Sequence, residues 1–486
     1  MNKRLILYIL GWVLIVEGIA MQVCTVTSVI YREHEGLYFL ITGAVSAGLG
    51  VLAVKVKKPK NMVLYQKAGF CATALSWIVL SLVGAMPFFL SGEIPNYLDA
   101  LFETVSGFTT TGSSILLDVE AMSHCSLFWR SFTHWIGGMG VLVFLLAVVP
   151  LSGGSHFNLM RAESPGPSVG KLVPKVRATA RLLYLIYLAL TVIQIILLAF
   201  DMPLFDAVLH SLGTAGTGGF GIKGDSFGSY SAYSQWVTTI FMLLFGVNFN
   251  AYYFILYRKF RKAWEMEEVR WYFAIVLAAI GIIFVDVVNV YGGVFEALTH
   301  ASFQVASIIT TTGFATADFN LWSQTSKLTL VLLMFVGACA GSTGGGIKVS
   351  RIVMLVKTVA RELYSYIHPK SIRSSKMDGK SLDRETVHSV CVYLATFVVL
   401  FSASLFIVSL EGRDLVTTFT AVTATINNIG PGLELVGPAG NFSMLSGLSK
   451  WTLIFDMLAG RLELFPLLIL FHPTVWKEMY SRRREH

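Results

Sequence analysis

Four stretches of this sequence set a row of small uncharged residues against a glycine: "ETVSGFTTTGSS" at Gly112, "VLHSLGTAGTGG" at Gly216, "QVASIITTTGFA" at Gly313 and "VTATINNIGPGL" at Gly430. Beside these glycines there is no nucleophile–base pair and no set of metal-ligating side chains. The chemistry on offer is that of the backbone carbonyl. Glycine admits positive φ, so successive carbonyls can turn to one side, and threonine tolerates an extended backbone. Four such loops meeting on one axis would form rings of inward-facing carbonyls, which replace the hydration shell of K+ in selectivity filters.

Two other features are chemically conspicuous. Residues 337–346 hold five glycines, Gly337, Gly341, Gly344, Gly345 and Gly346, inside an apolar run. Each costs about 1 kcal/mol in a helix relative to alanine, so the cluster is expected to break one; close helix packing through small residues is the other reading. A phosphate-binding loop is excluded, because Ile347 follows Gly346 where the motif requires lysine. Arg461 lies in the last apolar run, where a charge costs at least about 2.5 kcal/mol and marks either a functional site or a snorkelling or paired side chain.

Other polar residues carry weaker signals. Asp286 and Asp456 sit in or beside apolar runs and could pair with Arg461 or bind protons. Glu103, Asp206, Glu296 and Gln304 lie near the starts of short half-apolar segments, as helix caps or as attractors of cations. His134, His210 and His300 lack ligand spacing and are expected to be hydrogen-bonded at helix ends. Five scattered cysteines form no CxxC pair.

The elements that must position these residues follow from composition. Of 486 residues 55% are hydrophobic and 14% charged, with a mean hydropathy of +0.66, far from a soluble balance. Apolar runs recur at residues 5–29, 72–90, 128–151, 182–200, 273–290, 328–340, 390–410 and 451–470, each read as about the length that crosses a bilayer as a helix. The first lacks a cleavage signature and is read as a retained helix. The net charge of +8 resides mostly in basic segments, residues 3–4, 55–67, 161–181, 258–270, 348–384 and 477–484, which alternate with poorly basic ones. This positive-inside pattern puts both termini in the cytoplasm and accounts for the basic residues without nucleic acid.

The glycine stretches recur at intervals of 104, 97 and 117 residues (216−112, 313−216, 430−313). Each unit reads as a span, a short segment such as 97–109 or 414–425 that cannot cross, the glycine stretch, and a returning span. The expectation is an all-α polytopic membrane protein: an N-terminal helix pair in residues 1–60, then four membrane–pore-loop–membrane repeats in 61–155, 156–265, 266–365 and 366–486 around one pore.

Repeated units with "TTTG" loops, together with "GACAGSTGGGIKVSR" in the third returning segment, resemble the Trk/Ktr/HKT superfamily of K+ transporters, most closely the bacterial Trk membrane subunit. The resemblance spans essentially the whole chain, including the extra N-terminal pair. It implies that filter backbone falls on Thr110, Thr111, Gly112 and Ser113; on Thr214, Ala215, Gly216 and Thr217; on Thr311, Thr312, Gly313 and Phe314; and on Asn428, Ile429, Gly430 and Pro431. In related plant transporters a serine at the first glycine accompanies Na+ preference, so Gly112 implies K+ selectivity; the second and fourth loops, "TAGTG" and "NNIGPG", depart from the pattern.

It further implies a gate made of the loop Gly341, Ser342, Thr343, Gly344, Gly345 and Gly346 and of Arg461, a cationic barrier bonded to loop carbonyls near residues 340–344. The implied cargo is K+, held at the filter, with no covalent cofactor. The implied assembly is a homodimer in a bacterial cytoplasmic membrane carrying a cytoplasmic ring of nucleotide-binding regulatory subunits. A symporter coupling K+ to H+ or Na+ is the alternative and requires titratable groups at the site. A polytopic enzyme requires clustered His, Asp or Glu facing one cavity, which the sequence does not offer.

Overall fold

The structure, a computed structural model, describes residues 3–56, 59, 65–140, 176–370, 374–475 and 477. The expected boundaries at 60/61 and 155/156 lie outside the described residues, as does the end of the expected span 128–151.

Helices Lys3–Tyr31 and Gly36–Val56 form the N-terminal hairpin. Glycines seven residues apart on each, Gly11 and Gly18 on one and Gly43 and Gly50 on the other, bring the backbones together: a Cβ added at Gly50 would stand 2.5 Å from the Gly11 carbonyl. In lipid there is no water to squeeze out, so such close approach drives helix pairing.

Four units follow with one order of parts. Outer helices are Gln66–Gly84, Val176–Leu198, Glu267–Val287 and Arg384–Ser409; pore helices are Tyr97–Phe108, Leu204–Gly216, Val294–Ile309 and Leu415–Ile426. The pore helices are 12, 13, 16 and 12 residues long, too short to cross. Among the described residues six helices are long and apolar enough to span, and the pair Ala232–Gly246 and Phe249–Leu256, apolar enough when taken together, bends by 94° as a broken span or a re-entrant loop does.

The inner helices differ from the expected single returning spans. They run His124–Met139, Ala232–Gly246, Gln324–Val336 and Gly447–Arg461, and every one stops after 13 to 16 residues. The second, third and fourth resume as Phe249–Leu256, Val349–Ile367 and Phe465–Leu470. Residues 328–340 and 451–470 are therefore broken segments, with Gly337 (φ 72°) and the Glu463–Leu464 pair (φ 57° and 66°) at the breaks. The expected boundary at 365/366 falls inside Val349–Ile367.

One device fixes all four inner helices. Each starts at a serine N-cap that accepts from the backbone N–H of a second serine three residues on: Ser123 and Ser126, Ser231 and Ser234, Ser323 and Ser326, Ser446 and Ser449. Each pair is bound by one carboxylate from the far end of its outer segment. Glu93 accepts from Ser123 N–H at 2.7 Å and from the Ser126 hydroxyl. Asp201 accepts from both hydroxyls of its pair, as does Asp286. Glu411 accepts from Ser446 N–H at 2.7 Å and Ser449 Oγ at 2.5 Å. Asp286 is thus part of a structural clasp.

Replacing Ser323 or Ser446 by alanine is expected to cost about 1 kcal/mol each, seen as a lower thermal midpoint of the detergent-solubilised protein. The Ser446→Ala/Ser449→Ala double variant should lose less than the sum of its singles, because both serines bind Glu411.

Candidate functional site: four loops and a glycine segment on one axis

Each pore helix ends in the same left-handed turn. Thr110, Thr217, Thr311 and Asn428 have φ of 55°, 56°, 60° and 55°. Their N–H groups bond carbonyls three residues back, and the next N–H reaches five residues back: Thr111 to Ser106 at 2.8 Å, Gly218 to Gly213 at 2.9 Å, Thr312 to Ser307 at 2.8 Å, Ile429 to Ala424 at 2.9 Å. This is the Schellman ending, with threonine or asparagine where glycine is usual. The extended threonine rows expected from the sequence are therefore corrected at one residue per loop. Two residues further on stands a glycine of positive φ: Gly112 (81°), Gly219 (80°), Gly313 (87°) and Gly430 (103°).

The second loop shifts register. Thr214, Ala215 and Gly216 belong to the pore helix Leu204–Gly216, and the counterpart of Gly112 is Gly219, not Gly216. The intervals become 107, 94 and 117 (219−112, 313−219, 430−313). The sequence held the clue: Gly219-Phe220 matches Gly313-Phe314, whereas Gly216 is followed by threonine.

The four glycines close a ring. A Cβ added at Gly112 would press on the Gly218 carbonyl, one at Gly219 on Thr312 O, one at Gly313 on Ile429 O, and one at Gly430 would lie 2.8 Å from Thr111 O. Every loop packs its glycine against the carbonyl that precedes the glycine of the next. Side chains reinforce the seam between the fourth and first loops: Asn428 Nδ2 donates to Thr111 Oγ1 at 2.9 Å and Ser113 Oγ to Gly430 O at 3.0 Å. Four helix C-termini, each with a partial negative charge, converge on this ring.

The glycine segment of the third repeat lies against the helix-end side of the ring. Gly345 N–H donates to Thr311 Oγ1 at 2.6 Å, and Gly346 N–H to Asn427 O at 3.1 Å. Thr343 donates its hydroxyl to Phe245 O at 3.2 Å. Its carbonyl accepts from Thr217 Oγ1 at 3.0 Å and from Arg461 Nη1 at 2.9 Å. Thr217 and Arg461 belong to the second and fourth repeats, which face each other across the ring, so the Thr343 carbonyl lies between opposite repeats. Arg461 also donates to Gly137 O and, at 2.8 Å, to Gly138 O of the first repeat. The bond to residues 340–344 expected for Arg461 is present at Thr343.

The chain is similar to known proteins over its whole length. The family model for TrkH, cation transport protein, matches residues 37–482. The chain belongs to the TrkH family. The "Trk system potassium uptake protein TrkH" of Salmonella typhimurium is 36% identical over 98% of this chain and 100% of its own length, and TrkG of Escherichia coli K12 is 32% identical over 98% and 99%. The crystal structure of the potassium transporter TrkH from Vibrio parahaemolyticus superposes with a TM-score of 0.87 at 32% identity, covering 98% of this chain and 100% of that one. These relatives are transporters, and the chain is not an enzyme.

Around the ring of this TrkH-family chain stand buried charged residues, of which the sequence advertised Glu103 but not Arg130, Glu268, Lys348 or Arg351. Glu103, expected as a cap or mouth acid, is fully buried within its pore helix and paired with Arg130 at 2.8 Å. Its carboxylate also accepts from Ser114 Oγ and Ile115 N–H, while Arg130 donates to Gly221 O at 3.1 Å and covers the Phe220 ring. One ion pair thereby ties the outer ends of the first and second loops. Glu268 accepts from Ala340 N–H at 2.6 Å and Ser350 N–H at 3.1 Å, holding both shoulders of the glycine segment. Lys348 is buried at φ 84° with its ammonium on Gly344 O. Arg351 pairs with Glu463 and stacks on Tyr393 at 3.9 Å.

The other polar residues singled out are spread over structural tasks. Asp206 accepts from Tyr230 at 2.8 Å, Gln304 donates to Ala317 O at 3.4 Å, Glu296 is 4.0 Å from His300, and Asp456 accepts from Ser404 at 2.6 Å. His210 packs among Phe227, Tyr230 and Phe314, and His300 bonds Thr316. Among the described residues no three His, Cys, Asp or Glu form a metal cluster.

Removing one partner of a buried ion pair costs about 3–5 kcal/mol because the other charge is stranded. Arg130→Met is therefore expected to lower the thermal midpoint more than Arg130→Met/Glu103→Leu does, checked on the two purified variants.

Proposed function

We propose that this chain takes up K+ through the ring of carbonyls at Gly112, Gly219, Gly313 and Gly430. The single observation that carries this reading is the cycle of contacts in which each glycine abuts the carbonyl before the next. It leaves four equivalent carbonyls, those of Thr111, Gly218, Thr312 and Ile429, on a common axis at the ends of four helix dipoles. The filter comprises residues 110–113, 217–220, 311–314 and 428–431. The names of the relatives, potassium uptake proteins, support K+ as the cargo.

The glycine segment and Arg461 are the gate. The carbonyl of Thr343 lies across the axis, and Arg461 adds a fixed cation next to it; a cation leaving the ring meets both. Transport is channel-like: Asp286 is held in the serine clasp and Asp456 accepts from Ser404 of the outer helix through Oδ1 alone, so neither carboxylate is hydrogen-bonded to a filter residue as a coupled symport reading needs. The chain works in the cytoplasmic membrane of a bacterium with both termini inside, a reading supported by the basic segments. It acts as a homodimer with a ring of nucleotide-binding regulatory subunits on the basic segments 258–270 and 351–384, as the resemblance implies.

The test is 86Rb+ uptake by proteoliposomes with K+ or Na+ as competitor and with the pH gradient present or collapsed. Competition by K+ but not Na+, at a rate indifferent to the gradient, is the expected result; a rate that collapses with the gradient refutes channel-like transport. Arg461→Ala should raise uptake severalfold, and an unchanged rate removes the barrier role.

A further inference from the structure

The second filter loop is the least self-supporting of the four. Gly216-Thr217-Gly218-Gly219-Phe220-Gly221 has glycine at four of six positions, and Gly218 has no side chain where Thr111, Thr312 and Ile429 stand in the other loops. In the first and third loops that threonine is tied to the threonine two residues earlier, Thr109 to Thr111 and Thr310 to Thr312, at 2.8 Å each. The second loop has no such tie, and its carbonyl at Gly218 is the one that packs on Gly112.

The missing volume is filled from another helix. A Cβ added at Gly218 would fall well inside 3.0 Å of the ring of His134, a fully buried residue of the inner helix His124–Met139. Nδ1 lies 2.7 Å from Gly107 O and Nε2 lies 3.2 Å from the Phe220 N–H. The two bonds fit one neutral tautomer, with Nδ1–H donating and Nε2 accepting. The imidazole thus joins the last turn of the first pore helix to the residue after Gly219, and its ring packs on Phe220 at 4.3 Å.

The serine clasps give a common register for the inner helices. His134 comes eleven residues after Ser123; eleven after Ser231, Ser323 and Ser446 stand Met242, Met334 and Met457, all fully buried. Methionine fills space but offers its neighbours no useful hydrogen bond. Histidine occurs in the one repeat whose inner helix meets the glycine at 218.

We infer that His134 is a positioning residue for ion selectivity: its imidazole stands in for the threonine that the second loop lacks and sets the position of the Gly218 carbonyl in the ring. This rests on the reading of the loops as a K+ filter. Freed from the ring, a carbonyl in a chain of glycines would relax inward and accept the smaller Na+.

The experiment measures ion preference at equilibrium, so no open gate is needed. An ion that binds only the native state raises the thermal midpoint by an amount that grows as ln(1 + c/Kd), with c the ion concentration; the ratio of the Kd values fitted for Na+ and K+ from the midpoints of the purified chain reports the filter's preference. Wild type should prefer K+. His134→Ala should reduce that preference about tenfold, the scale of one or two lost hydrogen bonds. Gly218→Thr alone, which collides with the ring, should reduce it too, and His134→Ala/Gly218→Thr should recover it. An unchanged preference in His134→Ala, or a double variant no better than that single, overturns the inference. Should His134→Ala not fold, the double variant decides: recovery of folding and preference supports the proposal, and failure of either refutes it. Gly313→Ala is the control for the filter itself. If it abolishes the preference while His134→Ala keeps it, the filter stands and the role of His134 falls; a wild type without preference removes both.

Discussion

A carbonyl that is to hold a dehydrated cation must be free of any N–H, yet backbone inside a membrane must have its polar groups satisfied. Under the proposed filter reading, the ends of the four pore helices answer that conflict. At the end of each pore helix the Schellman turn consumes N–H groups by folding them back onto helix carbonyls, so donors are spent while the carbonyls of Thr111, Gly218, Thr312 and Ile429 remain. The turn requires a left-handed residue, and threonine there costs on the order of 1–2 kcal/mol relative to its usual conformation. Thr110, Thr217, Thr311 and Asn428 are all fully buried, and surrounding packing holds them. The strain has a use beyond the turn, because the hydroxyls of Thr217 and Thr311 meet the glycine segment.

The architecture was legible because it is written in composition. Hydropathy and the recurrence of polar–glycine stretches called for a helical membrane protein, and the helical TrkH structure of the Vibrio relative agrees with that fold class. The register of the second loop was not legible by aligning on the first glycine after a polar row, because residues 213–221 offer five glycines; the Gly-Phe pair shared with the third loop points to Gly219, and three-dimensional closure selects it. Breaks in the inner helices were visible at Gly337–Gly346, where glycine signals them, and invisible at Glu463 and Leu464, where packing imposes left-handed backbone on ordinary residues. The clasp serines were also readable as a repeated Ser-x-x-Ser, but the acids that bind them lie 30 to 37 residues upstream (123−93, 323−286) and become recognisable only in space. Glu103, Arg130, Glu268 and His134 act through partners far along the chain, which no local pattern encodes.

The third repeat departs from its siblings between the two halves of its inner helix, where the proposed gate lies. Its inner helix is interrupted between Val336 and Val349, and the intervening backbone bonds residues of the second, third and fourth repeats while Arg461 reaches back to the first. The segment is pinned at its shoulders by Glu268 and followed by Arg351, whose partner Glu463 lies two residues after Arg461. The elements of the proposed gate are thus mechanically joined to the helix Val349–Ile367, which lies within the basic segment 348–384.

Because one polypeptide supplies all four corners of the ring, each corner is a separate genetic locus. In a ring built from four identical chains any substitution is multiplied by four, and a glycine that needs a histidine behind it would have to be matched at every corner at once. Here the proposed support of Gly218 by His134 concerns a single seam, the one between the first and second repeats. A covalently linked ring can therefore change by single steps, one quarter at a time.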